Sequence, residues 1–444
     1  MPLTAAEQYL LELVNRARLD PLAEAERYGI TLNQGLSAGT IDATAKQVLA
    51  PNELLNQAAA DHSLWMLAAD VFSHTGSGGS SAGQRMQAAG YAFTGSWTWG
   101  ENLAWTGTTG TMNLNSAIDQ HHRGLFLSPG HRTNLMNETF REIGIGQEAG
   151  KFLSNGTNWN ASMLTEKFAK SGSSVFVTGV VYDDLDGNDF YTIGEGRGGA
   201  VFRIGGLSDT TETAGGYALK IAPSAAALVE ISYGGFDGVV ALDVSGGNGK
   251  VDYVVGGPVL LSASATLVSG VEHARLLGVD DLDLTGDGAA NWLEGNKGDN
   301  RIEGGAGDDT LIGGEGADTM DGGDGSDVYE ADAFDFIEDS GTYGFDLVRF
   351  SGDAAVVMNL GLVGIERVVG ADGNDLLDGS DMLADLAISG GGGDDQIDGG
   401  GGNDMLMGGG ATLAPEDMAA LSAQMAWVAA ALQDFGDSDG FAFL

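Results

Sequence analysis

Gly304-Gly-Ala-Gly-Asp-Asp-Thr-Leu-Ile312, Gly313-Gly-Glu-Gly-Ala-Asp-Thr-Met-Asp321 and Gly322-Gly-Asp-Gly-Ser-Asp-Val-Tyr-Glu330 are three consecutive nines of one pattern. Two looser units precede them, opening at Gly286 and Gly295. Position six reads Asn291, Asn300, Asp309, Asp318 and Asp327, and position eight reads Leu293, Ile302, Leu311, Met320 and Tyr329. A second block opens units at Gly370, Gly390 and Gly399, with Asp375, Asp395 and Asp404 at position six and Leu377, Ile397 and Leu406 at position eight. Each residue type has a task. Glycine permits tight turns with positive φ and leaves carbonyls free to face an ion. Aspartate supplies a hard oxygen suited to Ca²⁺, which gathers about six to eight such ligands. The apolar residue points inward and must stack on its equivalents, because one nonapeptide cannot bury that face alone. The period predicts a C-terminal parallel β-roll that binds calcium.

Working outward, the charge is concentrated where the repeats are. The chain has 444 residues, a formal net charge of −43 and 73 Gly. Residues 281–410 carry 30 Asp and Glu against 4 Lys and Arg, a net charge of −26. Such acid must stay solvated and repelling, or be neutralised by cations; its fixed period argues against a disordered tail. Nucleic acid and anionic lipid are unsuited partners for this charge. Between the blocks, Phe345-Asp-Leu-Val-Arg-Phe350 and Ala355-Val-Val-Met358 are strand-like and are expected to join two short rolls. Residues 263–410 resemble the RTX, or hemolysin-type calcium-binding, family. That resemblance implies export from a Gram-negative-type bacterium through a type I secretion apparatus, directed by an uncleaved C-terminal signal. Residues 411–444 suit that role: Pro415-Glu-Asp opens a helical pattern through Met418, Leu421, Met425, Val428 and Leu432, and an acidic then apolar tail follows. The same segment would also serve as a cap on the roll.

The chain has no Cys, so disulfides and thiolate metal sites are excluded. The N-terminus lacks a basic region and a continuous apolar run, so no secretory signal peptide is visible. Thr4 and Glu7 instead form a capping box for a helix over Glu7–Leu19. No apolar run is long enough for a transmembrane helix. A secreted, extracellular location is expected.

Residues 173–262 read as a small all-β sandwich, with strands at 174–182, 200–204 and 217–221. Asp184-Leu-Asp-Gly-Asn-Asp-Phe-Tyr-Thr-Ile-Gly-Glu195 follows the first. Asp184, Asp186 and Asn188 stand at loop positions one, three and five and Glu195 at twelve, a spacing that converges oxygens on one Ca²⁺. Asp189 stands at position six, where glycine is expected. An ordinary acidic turn is the competing reading. The segment resembles the calcium loops of Cna-B or SdrD-B-like modules, which implies a spacer or brace.

Residues 1–170 are of another kind. Helical periodicity over Glu7–Leu19, Pro51–Asp70 and Leu114–Leu127, followed by strand-like Arg141–Gly146 and Ser162–Thr165, predicts an α+β domain. Five of the six histidines lie between 62 and 131. Asn15-Arg-Ala-Arg, Phe72-Ser-His-Thr-Gly76, Gly100-Glu-Asn-Leu-Ala-Trp105, Ser128-Pro-Gly-His-Arg-Thr-Asn-Leu135 and Ile143-Gly-Ile-Gly146 occur in order. Together they resemble the CAP superfamily (cysteine-rich secretory proteins, antigen 5, pathogenesis-related 1) in its Cys-free bacterial SCP-like form. The resemblance implies an αβα sandwich with a cleft holding two His and two Glu, often able to bind zinc. His74, Glu101 and His131 take three of those places. The other Glu has no counterpart; Ser128 stands near its place, and His122 about two helical turns earlier. Two imidazoles and a carboxylate could hold zinc and activate water, or could simply bond one another. His62, at helical spacing from Ala58, Trp65 and Met66, reads as a packing residue.

Three functions follow as expectations. The first is a secreted calcium-binding protein whose CAP-like domain engages an extracellular ligand or protein. The second is a metal-dependent, peptidase-like hydrolase working in the cleft, although neither HExxH nor Gly-x-Ser-x-Gly is present. The third is a calcium-dependent surface or matrix adhesion protein.

Overall fold

A computed structural model describes residues 1–408. The C-terminal helix and candidate export signal at 411–444 lie outside the described residues. The described residues divide into two compact units, 1–348 with 363–365, and 349–362 with 366–408.

The first unit opens with α1 (Ala5–Leu19), and the capping box forms: the Glu7 amide donates to Thr4 Oγ1 at 3.3 Å and the Thr4 amide to the Glu7 carboxylate at 2.9 Å. There follow α2 (Pro21–Arg27), β1 (Ala50–Pro51), α3 (Glu53–Ala69), α4 (Ala82–Ala88), β2 (Trp97–Thr108), α5 (Leu114–Leu127), α6 (Pro129–Leu135), β3 (Glu142–Ser154) and β4 (Thr157–Ser171). The sheet order is β1-β3-β4-β2, parallel between β1 and β3 and antiparallel elsewhere. Residues 143–146 set the layers. Ile143 and Ile145 are buried in one core with Leu10, Leu11 and Val14 of α1 and Ile118 and Phe126 of α5. Gly144 and Gly146 point the other way, where a Cβ would collide with the α3 backbone at Leu55 and Ala60. Alternation along one strand thus admits a helix layer on each face, the αβα sandwich that the resemblance implies.

Ten strands follow: β5 (Val175–Tyr182), β6 (Val201–Ile204), β7 (Leu207–Thr210), β8 (Gly216–Ile221), β9 (Ala227–Tyr233), β10 (Phe236–Leu242), β11 (Gly249–Val254), β12 (Val259–Leu261), β13 (Ala265–Ser269) and β14 (His273–Leu276). One sheet runs β13-β10-β9-β6-β7 and the other β14-β12-β11-β5-β8. The sandwich is tied to the first domain by buried polar groups. Asn248 Nδ2 donates to the carbonyls of Val48 (2.9 Å) and Arg141 (2.7 Å), and buried Lys250 bridges Glu12 (2.9 Å) and Asp252.

The first roll continues both sheets through β15 (Asp283–Thr285), β16 (Trp292–Glu294), β17 (Arg301–Ala306), β18 (Thr310–Ile312), β19 (Thr319–Asp324), β20 (Val328–Ala331) and β21 (Phe336–Ile337). β13 pairs with β15 and β12 with β14, both parallel, so no sheet edge separates sandwich from roll near residue 262. The pairing step is twice the repeat: Leu284 faces Ile302, Ile302 faces Met320, and Leu293 faces Leu311. Each full turn takes two nonapeptides, one per sheet. Leu293, Ile302, Leu311, Met320 and Tyr329 are all fully buried. At about 25 cal/mol per Å² of apolar surface, each contributes on the order of 2 kcal/mol that exists only when the next turn is present.

In the second unit, Val357–Asn359, Leu376–Asp378 and Gln396–Asp398 pair in parallel, as do Arg367–Val369, Ala387–Ser389 and Met405–Met407. Leu377 is fully buried there, while Ile397 is half-buried and Leu406 exposed. No further turn among the described residues covers Leu406, so its expected inward packing is not seen.

Candidate metal centres and the histidine cleft

The position-six carboxylates form ladders. Asp309 Oδ1 accepts the Asn291 amide at 2.7 Å, Asp318 Oδ1 the Asn300 amide at 2.7 Å, and Asp327 Oδ1 the Asp309 amide at 2.8 Å. Asp375, Asp395 and Asp404 accept in the same way from Val356, Asp375 and Leu386. The other oxygen is the informative one. Oδ2 of Asp309, Asp318, Asp327, Asp375 and Asp395 is buried with no hydrogen-bond partner. Burial pushes the Asp309 carboxyl up to about 6 and those of Asp318 and Asp327 to about 7. A row of unpaired buried carboxylates is unfavourable unless a cation meets it. The space for one is kept open by the first glycine of each unit. A Cβ on Gly304, Gly313 or Gly399 would stand 2.5, 2.7 or 2.8 Å from Oδ2 of Asp309, Asp318 or Asp404. Hard oxygens around a space that a methyl would fill suit Ca²⁺. Asn300 departs from the expected ligand role: Asn296 holds its amide at both ends (2.7 and 3.1 Å), so it closes its turn by hydrogen bonds.

Asp184, Asp186 and Glu195 come together as expected of a loop site. Their carboxylate oxygens lie within 4.8 Å of one another, which no other group of three His, Asp or Glu does among the described residues. Asn188 Oδ1 accepts the Phe190 amide at 2.8 Å. Buried Glu195 accepts the amides of Leu185 (2.9 Å) and Thr192 (2.7 Å), closing the loop from its far end. Asp189 at position six adopts φ +57°, the left-handed conformation for which glycine is usually chosen. The next residue, Phe190, packs edge-on against Tyr9 and beneath Arg16 of α1.

In the CAP-like domain, His74 Nδ1 bonds Glu101 Oε1 at 2.8 Å. Glu101 Oε2 receives Arg85 Nη2 at 2.6 Å and Lys167 Nζ. Burial alone would raise this carboxyl; the His74 hydrogen bond and the two cations outweigh it and hold it at about 2. His131 Nδ1 is held at 2.9 Å by Ser128 Oγ, a helix N-cap whose side chain makes no backbone cap bond. Burial and the nearby His74 lower the His131 pKa. Ser128, near the place of the missing Glu, thus bonds His131. His122 does not: its ring is fully buried, with Nε2 on Glu24 at 2.8 Å. That candidate is corrected to a structural residue, because the ring is fully buried beside Tyr28 and Phe126 and its Nε2 is committed to buried Glu24. His62 is buried as expected, stacked on Trp65 and bonded to the Ser73 carbonyl.

Glu101 is not open to zinc: a dication bonded to it would have to displace Arg85 and Lys167. Sequence reading missed both cations, because neither is near Glu101 in the chain. The β2–β4 register places Lys167 directly opposite Glu101, a cross-strand signal visible only once the strands are paired. It also missed Glu166, buried with Oε1 unpartnered and Oε2 accepting Asn102 Nδ2 at 3.0 Å. Trp97 and Trp99 share the Glu101 face of β2 by alternation and are substantially exposed.

Fold and sites together define a CAP domain joined to a calcium-binding β-roll. Residues 11–159 match the cysteine-rich secretory protein family, and four copies of the RTX calcium-binding nonapeptide repeat match residues 285–320, 294–329, 360–381 and 387–411. Among solved structures, the chain is similar to an outer surface protein from Borrelia burgdorferi, at 19% identity, covering 28% of this chain and 78% of that one, with a TM-score of 0.20. It is also similar to an extracellular protein containing a SCP domain from Bacillus anthracis, at 21% identity, covering 38% of this chain and 45% of that one, with a TM-score of 0.22. No curated protein matches the chain. Among the described residues no helix is long and apolar enough to cross a membrane.

Proposed function

We propose that the protein works outside the cell as a calcium-loaded binding protein, in which the roll folds on Ca²⁺ and the CAP domain engages an extracellular ligand or protein. The row of buried, unpartnered Oδ2 atoms carries this reading. Calcium there would neutralise carboxylates that otherwise repel one another, so metal binding supplies folding free energy. The Asp184–Glu195 loop takes a further ion and braces Phe190 against α1; its strand–acidic loop–strand order is what likens residues 173–262 to Cna-B modules. In the cleft, Nε2 of His74 and of His131 has no protein partner among the described residues, and Trp97 and Trp99 on the Glu101 face of β2 are exposed. Imidazole edges and exposed aromatic surface in one domain suit a ligand with polar groups and an apolar face. Glu101, clamped by two cations, is a fixed part of the wall rather than a metal ligand or a base, so binding is favoured over hydrolysis. Residues 411–444 direct export through a type I apparatus. Calorimetric titration of chelator-treated full chain with calcium tests the central point: several ions per chain are expected, and no heat of binding would overturn the reading. Deleting residues 411–444 tests the route, with loss of the protein from the medium expected and unchanged export refuting it.

A further inference from the structure

We propose that Asp335 completes a calcium site with Asp318, half a turn beyond the last recognisable repeat of the first block. The inference rests on the calcium reading of the repeats and extends it to residues that carry no repeat motif. The first block's match ends at residue 329, and Ala331-Asp-Ala-Phe-Asp335 contains no glycine. Strand register nonetheless continues. Thr319 and Met320 pair in parallel with Phe336 and Ile337, which sets Asp335 over Asp318. Asp335-Phe-Ile337 keeps the Asp-x-apolar order of Asp318-Thr-Met320, and Ile337 is buried as Met320 is. The carboxylate is placed as in a true repeat: Asp335 Oδ1 accepts the Asp318 amide at 2.9 Å, as Asp327 Oδ1 accepts the Asp309 amide at 2.8 Å.

Two oxygens then converge on one small space. Asp318 is fully buried and its Oδ2 has no hydrogen-bond partner. A Cβ built on Gly313 would stand 2.7 Å from that oxygen and 2.9 Å from Asp335 Oδ2. The Asp332 amide, donating to Asp335 Oδ2 at 2.7 Å, fixes its aim. Bare carboxylates from successive turns would repel strongly in so buried a place. An oxygen-seeking divalent cation removes the conflict. The sequence pattern misses this site because the glycines that mark a repeat belong to the turn below: Gly313 keeps the space open, and Asp335 has only to reach it.

The test is calcium content per full chain, by atomic emission after gel filtration. Asp335→Asn keeps the oxygen that accepts the Asp318 amide and removes the charge; one ion fewer than wild type is expected. Asp309→Asn, within a recognised repeat, should also lose calcium. An unchanged count for Asp335→Asn alongside a loss for Asp309→Asn overturns the Asp335 site and leaves the repeats as calcium binders. A wild-type chain without calcium overturns both. Gly313→Ala fills the space while keeping both carboxylates, and decides the matter should Asp335→Asn fail to fold: loss of one ion supports the site and a full count overturns it.

Discussion

The Glu166 carboxyl is fully buried, with one oxygen unpartnered and the other on Asn102. Burial raises its pKa from 4.5 to about 7. Between those values the folded chain keeps a proton that the unfolded chain has released, so stability falls as pH rises through the window and is not regained above it. Glu166→Gln abolishes that titration. Melts of the variant should coincide with wild type near pH 4.5 and show a gain of roughly 3 kcal/mol at pH 8; an equal difference at both pH values would contradict the assignment. This residue left no trace in the sequence, because a lone Glu in a strand reads as solvated. His74, Glu101 and His131 were legible because they sit in ordered motifs, whereas Arg85 and Lys167 reach Glu101 only through folding. The misreading of His122 has the same origin: helical spacing alone does not tell on which side of α5 Glu24 waits.

At the scale of elements, β3 carries the fold of the first domain. Gly146→Ala would drive a methyl into the α3 backbone at Ala60, where no side chain can move aside. A destabilisation of about 3 kcal/mol is expected by urea unfolding; a change below about 0.5 kcal/mol would mean that α3 does not lie on this face. Residues 141–146 already read as strand-like, though not their unequal faces, and α1 announced itself through its capping box. The Asp184–Glu195 loop was also legible, since its ligands lie at fixed offsets in one segment. Replacing Asp184 and Asp186 by Asn should remove one bound calcium, leave the roll's ions in place, and loosen Phe190 from Tyr9 and Arg16. Retention of every ion in that variant would reduce the loop to an acidic turn. The roll's step was less legible. The sequence repeats at nine, but a closed turn needs two nonapeptides, so the paired strands lie two repeats apart.

For the whole molecule, the balance lies between charge and metal. The formal charge of −43 is heaviest in the repeats, and the same carboxylates that stack there have unpaired buried oxygens. The inward residues cover one another only when successive turns are in place, so each turn's stability depends on the next. Without calcium, repulsion acts on every turn at once, and cooperative loss of the roll is the expected result. The first domain has a core of its own, with Leu10, Ile143 and Phe168 buried away from any carboxylate ladder, and it should survive chelation. The most direct measurement is far-ultraviolet circular dichroism of the full chain in chelator and in millimolar calcium. The account predicts that the β-signal falls in chelator while the helical signal of the first domain persists, and that calcium restores the β-signal. An unchanged β-signal in chelator would contradict it.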